Sequence, residues 1–437
     1  MLKDRWGLDI ATDNPAAIEG LNTFDTSFLT YGTTAAAVWE AARADPGCVM
    51  AQAKAAALEM FLQTGESVAK ARPWLRNAEP HLARATERER LWHAQVSAWV
   101  VGDAETAIRL TEDIATRWPQ DLAAVKMTQF HMFHVGDLAG MLRIAQAALP
   151  HHRDSAEMHG MLAFGLEEMN RLDEAEMAAR QAIALKRNEP WAQHALAHVM
   201  ETQGRCAEGL QTMLGFSDGW AEKNSFMRSH NWWHAALFAI DADRPDEALR
   251  LYDEQVWGVW KEYSQDQVNA VALLARLEFA GLDVGNRWQD VADYVEKRGP
   301  EHIEPFLDAH YLLALSRAGR DAAAKDLLRS LRDYVASQPE QLTTRIWRLV
   351  GLPLAEGVEA YGRGDWRQVY EKLPAALNGL QQIGGSHAQR DLFWQLWLQA
   401  GAKAGEKAAI KPHLERRLQD RPNVAKHRRE LTALLQV

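Results

Sequence analysis

Two short stretches of the chain set imidazoles one helical turn apart: His194-Ala-Leu-Ala-His198 and His230-Asn-Trp-Trp-His234. On a helix, positions i and i+4 share a face, so each pair turns two rings to the same side. Three kinds of chemistry suit such pairs. Histidine titrates near neutral pH, so paired rings can act as acid and base. Imidazoles at this spacing are also workable ligands for a divalent transition metal. The third reading is structural: buried rings satisfied by backbone or carboxylate groups, with Trp232 and Trp233 as core beside them. His310, in Asp308-Ala-His310-Tyr311, joins the four, so the candidate catalytic groups are His194, His198, His230, His234 and His310. No third-ligand motif of zinc type accompanies them, so the residues favour no cofactor and leave its identity open, with a divalent metal as the minor alternative.

The elements that hold these residues are recognisable by period. Asn170-Arg-Leu-Asp-Glu-Ala175 is matched 34 residues later by Gly204-Arg-Cys-Ala-Glu-Gly209. The same register, 34 residues earlier each time, holds Gly136-Asp-Leu-Ala-Gly-Met141 and Gly102-Asp-Ala-Glu-Thr-Ala107. This is the tetratricopeptide period of two antiparallel helices per unit. Gly or Asn at the first position suits the left-handed turn between helices, and a small residue five places on lets the helices approach. Weaker copies begin at Asp243, Gly281, Gly319, Gly364 and Gly405, with Gly32 and Gly65 before the clear ones. The spacing predicts an all-α solenoid, a superhelix of about eleven hairpins, whose later units carry insertions. Residues 1–85 are expected to form N-terminal helical, capping repeats, continuous with a superhelix over 86–437. Alternating strand-like runs are not found.

In such arrays the first helix of each hairpin lines the inner side. Positions 10, 6 and 3 before each turn share one helical face. That stripe reads Trp92, Val96, Trp99; then Lys126, Phe130, Phe133; then Phe164, Glu167; then His194, His198, Glu201; then Trp233. Aromatic walls with a few convergent polar groups predict a pocket rather than a plain packed face, because His and Glu are costly to bury without partners. His387, Arg390 and Asp391 open a late helix, where Arg390 can clamp a carboxylate or phosphate or form an ion pair within the array. The predicted ligand contacts are therefore Trp92, Phe130, Phe164, Glu167, Glu201, Trp233, His387, Arg390 and Asp391. His159 is expected in the core, and the His131–His134 and His151–His152 pairs in solvent.

Composition excludes several classes. Net charge is −10 over 437 residues with no long run of one sign, which argues against nucleic acid or an anionic membrane as partner. Cys48 and Cys206 are the only cysteines, too few for a disulfide framework. The charged N-terminus lacks a secretory apolar stretch, and no apolar run nears 18 residues, so a cytoplasmic protein is expected. No P-loop, dinucleotide-binding glycine turn, Gly-x-Ser-x-Gly elbow or His-Glu-x-x-His occurs.

Five stretches resemble the tetratricopeptide repeat protein thirty-eight family. They are Met161-Leu-Ala-Phe-Gly-Leu-Glu-Glu168, Trp191-Ala-Gln-His-Ala-Leu-Ala-His-Val199, His230-Asn-Trp-Trp-His234, Gly285-Asn-Arg-Trp288 and Ile383-Gly-Gly-Ser-His-Ala-Gln-Arg-Asp-Leu-Phe393. The resemblance runs over most of the chain and implies a helical repeat protein, with no catalytic assignment to carry over. Where the family has an acidic residue in the hairpin after His234, this chain offers Gln267 or Asn269, with Asp266 adjacent; Asn269 is added to the predicted ligand contacts.

Two functions from different classes follow. One is a binding protein holding a small molecule or peptide segment on the concave face. The other is a hydrolase or lyase acting on an enclosed small molecule, with the histidines as acid and base and Arg390 as anchor. Self-association through the exposed ends of the array is allowed by either.

Overall fold

The computed structural model of the chain describes residues 1–424, 427, 429 and 431–433. Apart from a two-stranded antiparallel pairing of β1 (Leu2–Lys3) with β2 (Asp9–Ile10), the described residues form an all-α chain of successive helical hairpins. It divides into two compact units.

The first unit comprises Met1–Ala192, Glu222–Asn224 and Gln341–Thr343. Its hairpins begin with α1 (Pro15–Thr30) and α2 (Ala37–Ala44), then α3 (Val49–Phe61) and α4 (Ser67–Ala78). Next come α5 (Glu87–Val100) and α6 (Ala104–Arg117), followed by α7 (Leu122–Val135) and α8 (Leu138–Ala148). The last is α9 (Ala156–Glu168) with α10 (Leu172–Leu185). Each helix packs on its chain neighbours, and α3 also meets α5 as α6 meets α8, the pattern of stacked repeats. Helix starts are fixed by side-chain caps: Asp103 accepts from the Thr106 amide, Asp121 from Ala124, Asp137 from Gly140 and Ser155 from Met158.

The chain enters the second unit within α11 (Pro190–Thr202), after Ala192. There follow α12 (Cys206–Phe216), α13 (Ser225–Asp241), α14 (Pro245–Leu251), α15 (Ser264–Phe279) and α16 (Arg287–Arg298). Then come α17 (Pro305–Arg317), α18 (Asp321–Ser337), α19 (Leu342–Ile346, in this unit from Thr344), α20 (Leu352–Gly362) and α21 (Trp366–Lys372). The series closes with α22 (Pro374–Leu377), α23 (His387–Lys403) and α24 (Lys407–Asp420). Within this unit α13 packs on α15, α15 on α17 and α23, and α17 on α20. Two π-helical turns, Tyr252–Val256 and Trp347–Gly351, account for part of the lengthened spacing of the later repeats.

The turn residues carry the register. Gly102, Gly136, Asn170, Gly204, Asp243, Gly281, Gly319, Gly364 and Gly405 all have positive φ, as the period predicts. The two earliest turns differ. There the left-handed residues are Tyr31 and Gln63, not Gly32 and Gly65. Five places after Gly204, Gly209 lies so close to the Phe238 ring that a Cβ would overlap it. Among the described residues, no helix is long and apolar enough to cross a membrane.

Candidate functional site

The four paired histidines meet within the second unit. α11 supplies His194 and His198, and α13 supplies His230 and His234, each pair one turn apart on its helix. His194 Nε2 lies 3.0 Å from His198 Nε2 and 3.1 Å from His230 Nε2. One nitrogen from each of the four rings falls within 4.8 Å of the others. All four side chains are sealed, at 0–2% exposure. Trp233 forms part of the seal, lying flat on His230 at 5.2 Å with an interplanar angle of 9°. The His234 ring stands against His194, His198 and His230 with centroids 4.7–5.0 Å apart.

A chain of hydrogen bonds from α15 sets the His230 tautomer. Ser225 and Ser229 both donate their hydroxyls to Asp266, the latter at 2.9 Å. Ser229 Oγ is thereby left to accept from Asn269 Nδ2 at 3.0 Å. The amide orientation is thus determined, and Asn269 Oδ1 faces His230 Nδ1 at 2.8 Å. His230 must carry its proton on Nδ1, and in the neutral ring Nε2 is a bare lone pair turned toward His194.

Burial keeps His194, His230 and His234 neutral. It pushes His230 down to about 3, against the pull of the Asn269 bond, and drives His194 and His234 well below the usual range. Neighbouring imidazoles add to the drop for His194 and His234, because a second positive charge would repel the first. Asp266 is pushed up to about 6 by burial, opposed by its serine donors. Glu201 is raised by burial as well; its Oε2 stands 3.6 Å from His234 Nδ1, beyond hydrogen-bond length.

Beside the imidazoles, still within the second unit, lies a cavity of about 420 Å³. Glu201 and Thr202 of α11, His387, Arg390, Asp391 and Trp394 of α23, and Arg417 and Arg421 at the end of α24 line it, with Leu377 and Leu380 as apolar wall. His387 links cavity and cluster: its Nε2 is 2.9 Å from the Thr202 hydroxyl, and its ring stands edge-on to His198 at 5.0 Å. The Ser386 capping box starts α23 and so places His387 and Arg390. Asp391 is held well below the usual carboxylate range: burial would raise it, but the paired Arg417 guanidinium at 2.5 and 3.0 Å overrides that.

The remaining predicted residues have other surroundings. His310 is buried against Phe306 and Phe393, with Nδ1 2.7 Å from the Phe306 carbonyl, and burial brings it down to about 4. In the first unit, Phe130 packs with Phe61 and Trp99, and Phe164 with Phe133 and Trp191. Glu167 is buried in that unit. Trp92 is buried too, with its indole donating to Asp121 at 3.1 Å. His131, expected in solvent, is instead 5% exposed, with its ring edge-on to Trp99. His159, expected in the core, is half-buried and bonds the Arg153 carbonyl. Cys48 and Cys206 are buried and free, each thiol pushed up to about 12 chiefly by burial. Reading the sequence alone missed Ser225, Ser229, Thr202, Trp394, Arg417 and Arg421. The two arginines lie in an α24 run rich in Arg and Lys, a signal that places no side chain without coordinates.

No protein-family model matches the chain. Among solved structures it is similar to a chain of "Structure of Naa15/Naa10 bound to HypK-THB", at 13% identity and a TM-score of 0.26. That similarity covers 80% of this chain and 51% of the other, so the chain spans about half the length of that neighbour.

Proposed function

We propose that the chain is a helical-repeat binding protein whose second unit holds a small anionic molecule in the cavity beside His387. The supporting observation is the lining. Arg390, Arg417 and Arg421 converge with Trp394, Leu377 and Leu380 on one space of about 420 Å³. Such a volume suits a small molecule better than a peptide segment. Charge favours an anion: Asp391 and Arg417 neutralise one another at 2.5 Å, Asp420 accepts from Arg416 at 2.8 Å, and burial favours the neutral form of Glu201, so the positive charge offered to a ligand is that of Arg390 and Arg421. A carboxylate or phosphate is the kind of group that guanidinium side chains recognise through paired hydrogen bonds. The apolar wall would take the rest of the ligand.

A second reading, an acid–base enzyme, is favoured by one specific feature. Glu201 and His387 share the cavity wall, and a carboxyl raised by burial is suited to donate a proton there. In that version His387, rather than the sealed rings of His194, His198, His230, His234 and His310, faces the substrate.

Native mass spectrometry of the full chain from its own host tests retention of a small anion, with a thermal-shift panel of carboxylates and phosphate monoesters alongside. The expected result is one retained or stabilising anion per chain whose effect is lost in Arg390→Gln. Absence of any such ligand, or binding indifferent to Arg390→Gln and Trp394→Ala, overturns the proposal. Turnover of the retained molecule that disappears in His387→Gln would establish the enzyme reading.

A further inference from the structure

We propose that His194, His198, His230 and His234 bind one first-row transition-metal dication, zinc in the first instance, clipping α11 to α13. This site adjoins the anion cavity and shares Glu201 with it, but none of the four imidazoles lines that cavity, and neither proposal depends on the other.

Geometry is the first support. Tetrahedral zinc at about 2.0–2.1 Å from each imidazole nitrogen separates the ligand atoms by about 3.3–3.4 Å. Here the closest pairs are 3.0 and 3.1 Å apart, and all four rings offer a nitrogen within 4.8 Å of the rest. Four nitrogens with neither thiolate nor carboxylate among them suit zinc, nickel or copper rather than calcium or magnesium.

Proton accounting is the second support, and it is independent of distances to any ion. Asn269 fixes the His230 proton on Nδ1, so His230 Nε2 presents a lone pair to His194 Nε2. A hydrogen bond there needs the His194 Nε2 proton. His198 Nε2 lies 3.0 Å from that same atom, which has no second proton to give. If His198 donates instead, the His194–His230 contact becomes lone pair against lone pair. Neutral rings cannot satisfy both contacts with well-directed bonds. One cation satisfies every lone pair at once.

His234 is the third support. It is wholly buried, and among the described residues neither of its ring nitrogens has a hydrogen-bond partner. Its Nε2 faces the cluster if Nδ1 turns to Glu201, now 3.6 Å away. Ligating histidines are commonly held this way, with the far nitrogen on a carboxylate or carbonyl. Asn269 already does this for His230 through the Ser229–Asp266 relay.

The test uses the full chain, stripped with a chelator and then titrated with zinc or cobalt. Expected are one metal per chain by elemental analysis, a visible cobalt spectrum of tetrahedral intensity, and a Tm about 5 °C or more above the stripped protein at saturating metal. Asn269→Leu leaves all four ligands in place and should weaken binding about 10- to 100-fold by freeing His230. His230→Gln with His234→Gln should abolish stoichiometric binding. If that variant fails to fold, the metal-dependent Tm and cobalt spectrum of the wild type decide. Less than one tenth of an equivalent bound, an octahedral weak spectrum, or unchanged affinity in Asn269→Leu overturns the proposal.

Discussion

Replacing Arg88 with Met should destabilise the first unit in a way that depends on pH. Arg88 is 2% exposed and donates to Asp121 at 2.7 Å and to Asp4 at 2.5 Å. Burial would raise Asp121, but Arg88 first, then Lys54, the Trp92 indole and the Ala124 amide hold it below the ordinary value. Without the guanidinium, the buried carboxylate escapes by taking a proton. Protonating a group of ordinary pKa about 3.9 at pH 7 costs about 4 kcal/mol, which caps what the orphaned Asp121 can lose. That ceiling lies in the range of about 3–5 kcal/mol for breaking a buried ion pair, and Lys54 nearby keeps the loss toward the lower end. At pH 5 the same ceiling falls to about 1.5 kcal/mol. The penalty for Arg88→Met should therefore shrink by about 1.5 kcal/mol or more between pH 7 and pH 5. Wild-type Asp121 has a depressed folded pKa, so its contribution is complete above about 3.9 and does not change over that window. The comparison is made by hydrogen exchange in α3, α5 and α7 at several urea concentrations, which reads the first unit by itself. A penalty equal at the two pH values, or below about 1 kcal/mol at pH 7, would refute the reasoning.

Gly209→Ala should cost about 1–3 kcal/mol by overpacking, since the new Cβ overlaps the Phe238 ring, itself 1% exposed; an unchanged Tm would contradict the packing. His131, brought down to about 3 by burial and by His134, stays neutral in the fold while the unfolded chain protonates near 6.5. Its contribution is complete above 6.5 and is lost toward acid, about 2.7 kcal/mol by pH 4.5, so His131→Leu should flatten the decline of stability between those values. Equal slopes for variant and wild type would show that His131 is not the group responsible.

The hairpin register was legible because the turns need a left-handed residue, and Gly or Asn marks most of them. At the first two turns Gly32 and Gly65 misled by one and two places. Tyr31 tolerates φ 54° there because its ring stacks on Trp191 at 5.3 Å and lies under the Lys126 ammonium at 3.6 Å. The paired imidazoles were equally legible, since i and i+4 on one helix need no tertiary knowledge. What orients them was not. Ser229 reaches Asp266 and Asn269 across 37 and 40 residues, and no local pattern encodes a contact of that separation. Trp92 shows the opposite failure. Its place on the stripe was readable, but the buried charges around it were not: Asp121 reads as an ordinary helix cap and Lys54 as an ordinary helix residue. Lys54 in fact sits 4.9 Å over the Trp92 ring and 2.6 Å from Asp25.

The two buried polar clusters differ in how unmet atoms can be resolved. In the first unit, Asp25 Oδ2 has no hydrogen-bond partner among the described residues, and burial, ahead of the attraction of Lys54, raises this carboxyl. Taking up a proton removes the charge of Asp25, so the cluster of Asp4, Asp25, Lys54, Arg88 and Asp121 can settle its own charge, the Oδ2 then carrying an O–H in place of a buried anion. An imidazole has no such exit. Every neutral tautomer of His234 carries one N–H and one lone pair, so with both nitrogens unmet it buries an unsatisfied donor and an unsatisfied acceptor, at about 1–3 kcal/mol each. Charging the ring is worse, since burial, and after it the neighbouring imidazoles, hold His234 well below its ordinary range. A small turn toward Glu201 meets the donor alone. The remaining lone pair, gathered with nitrogens of three other rings, would be met by the single ion proposed above.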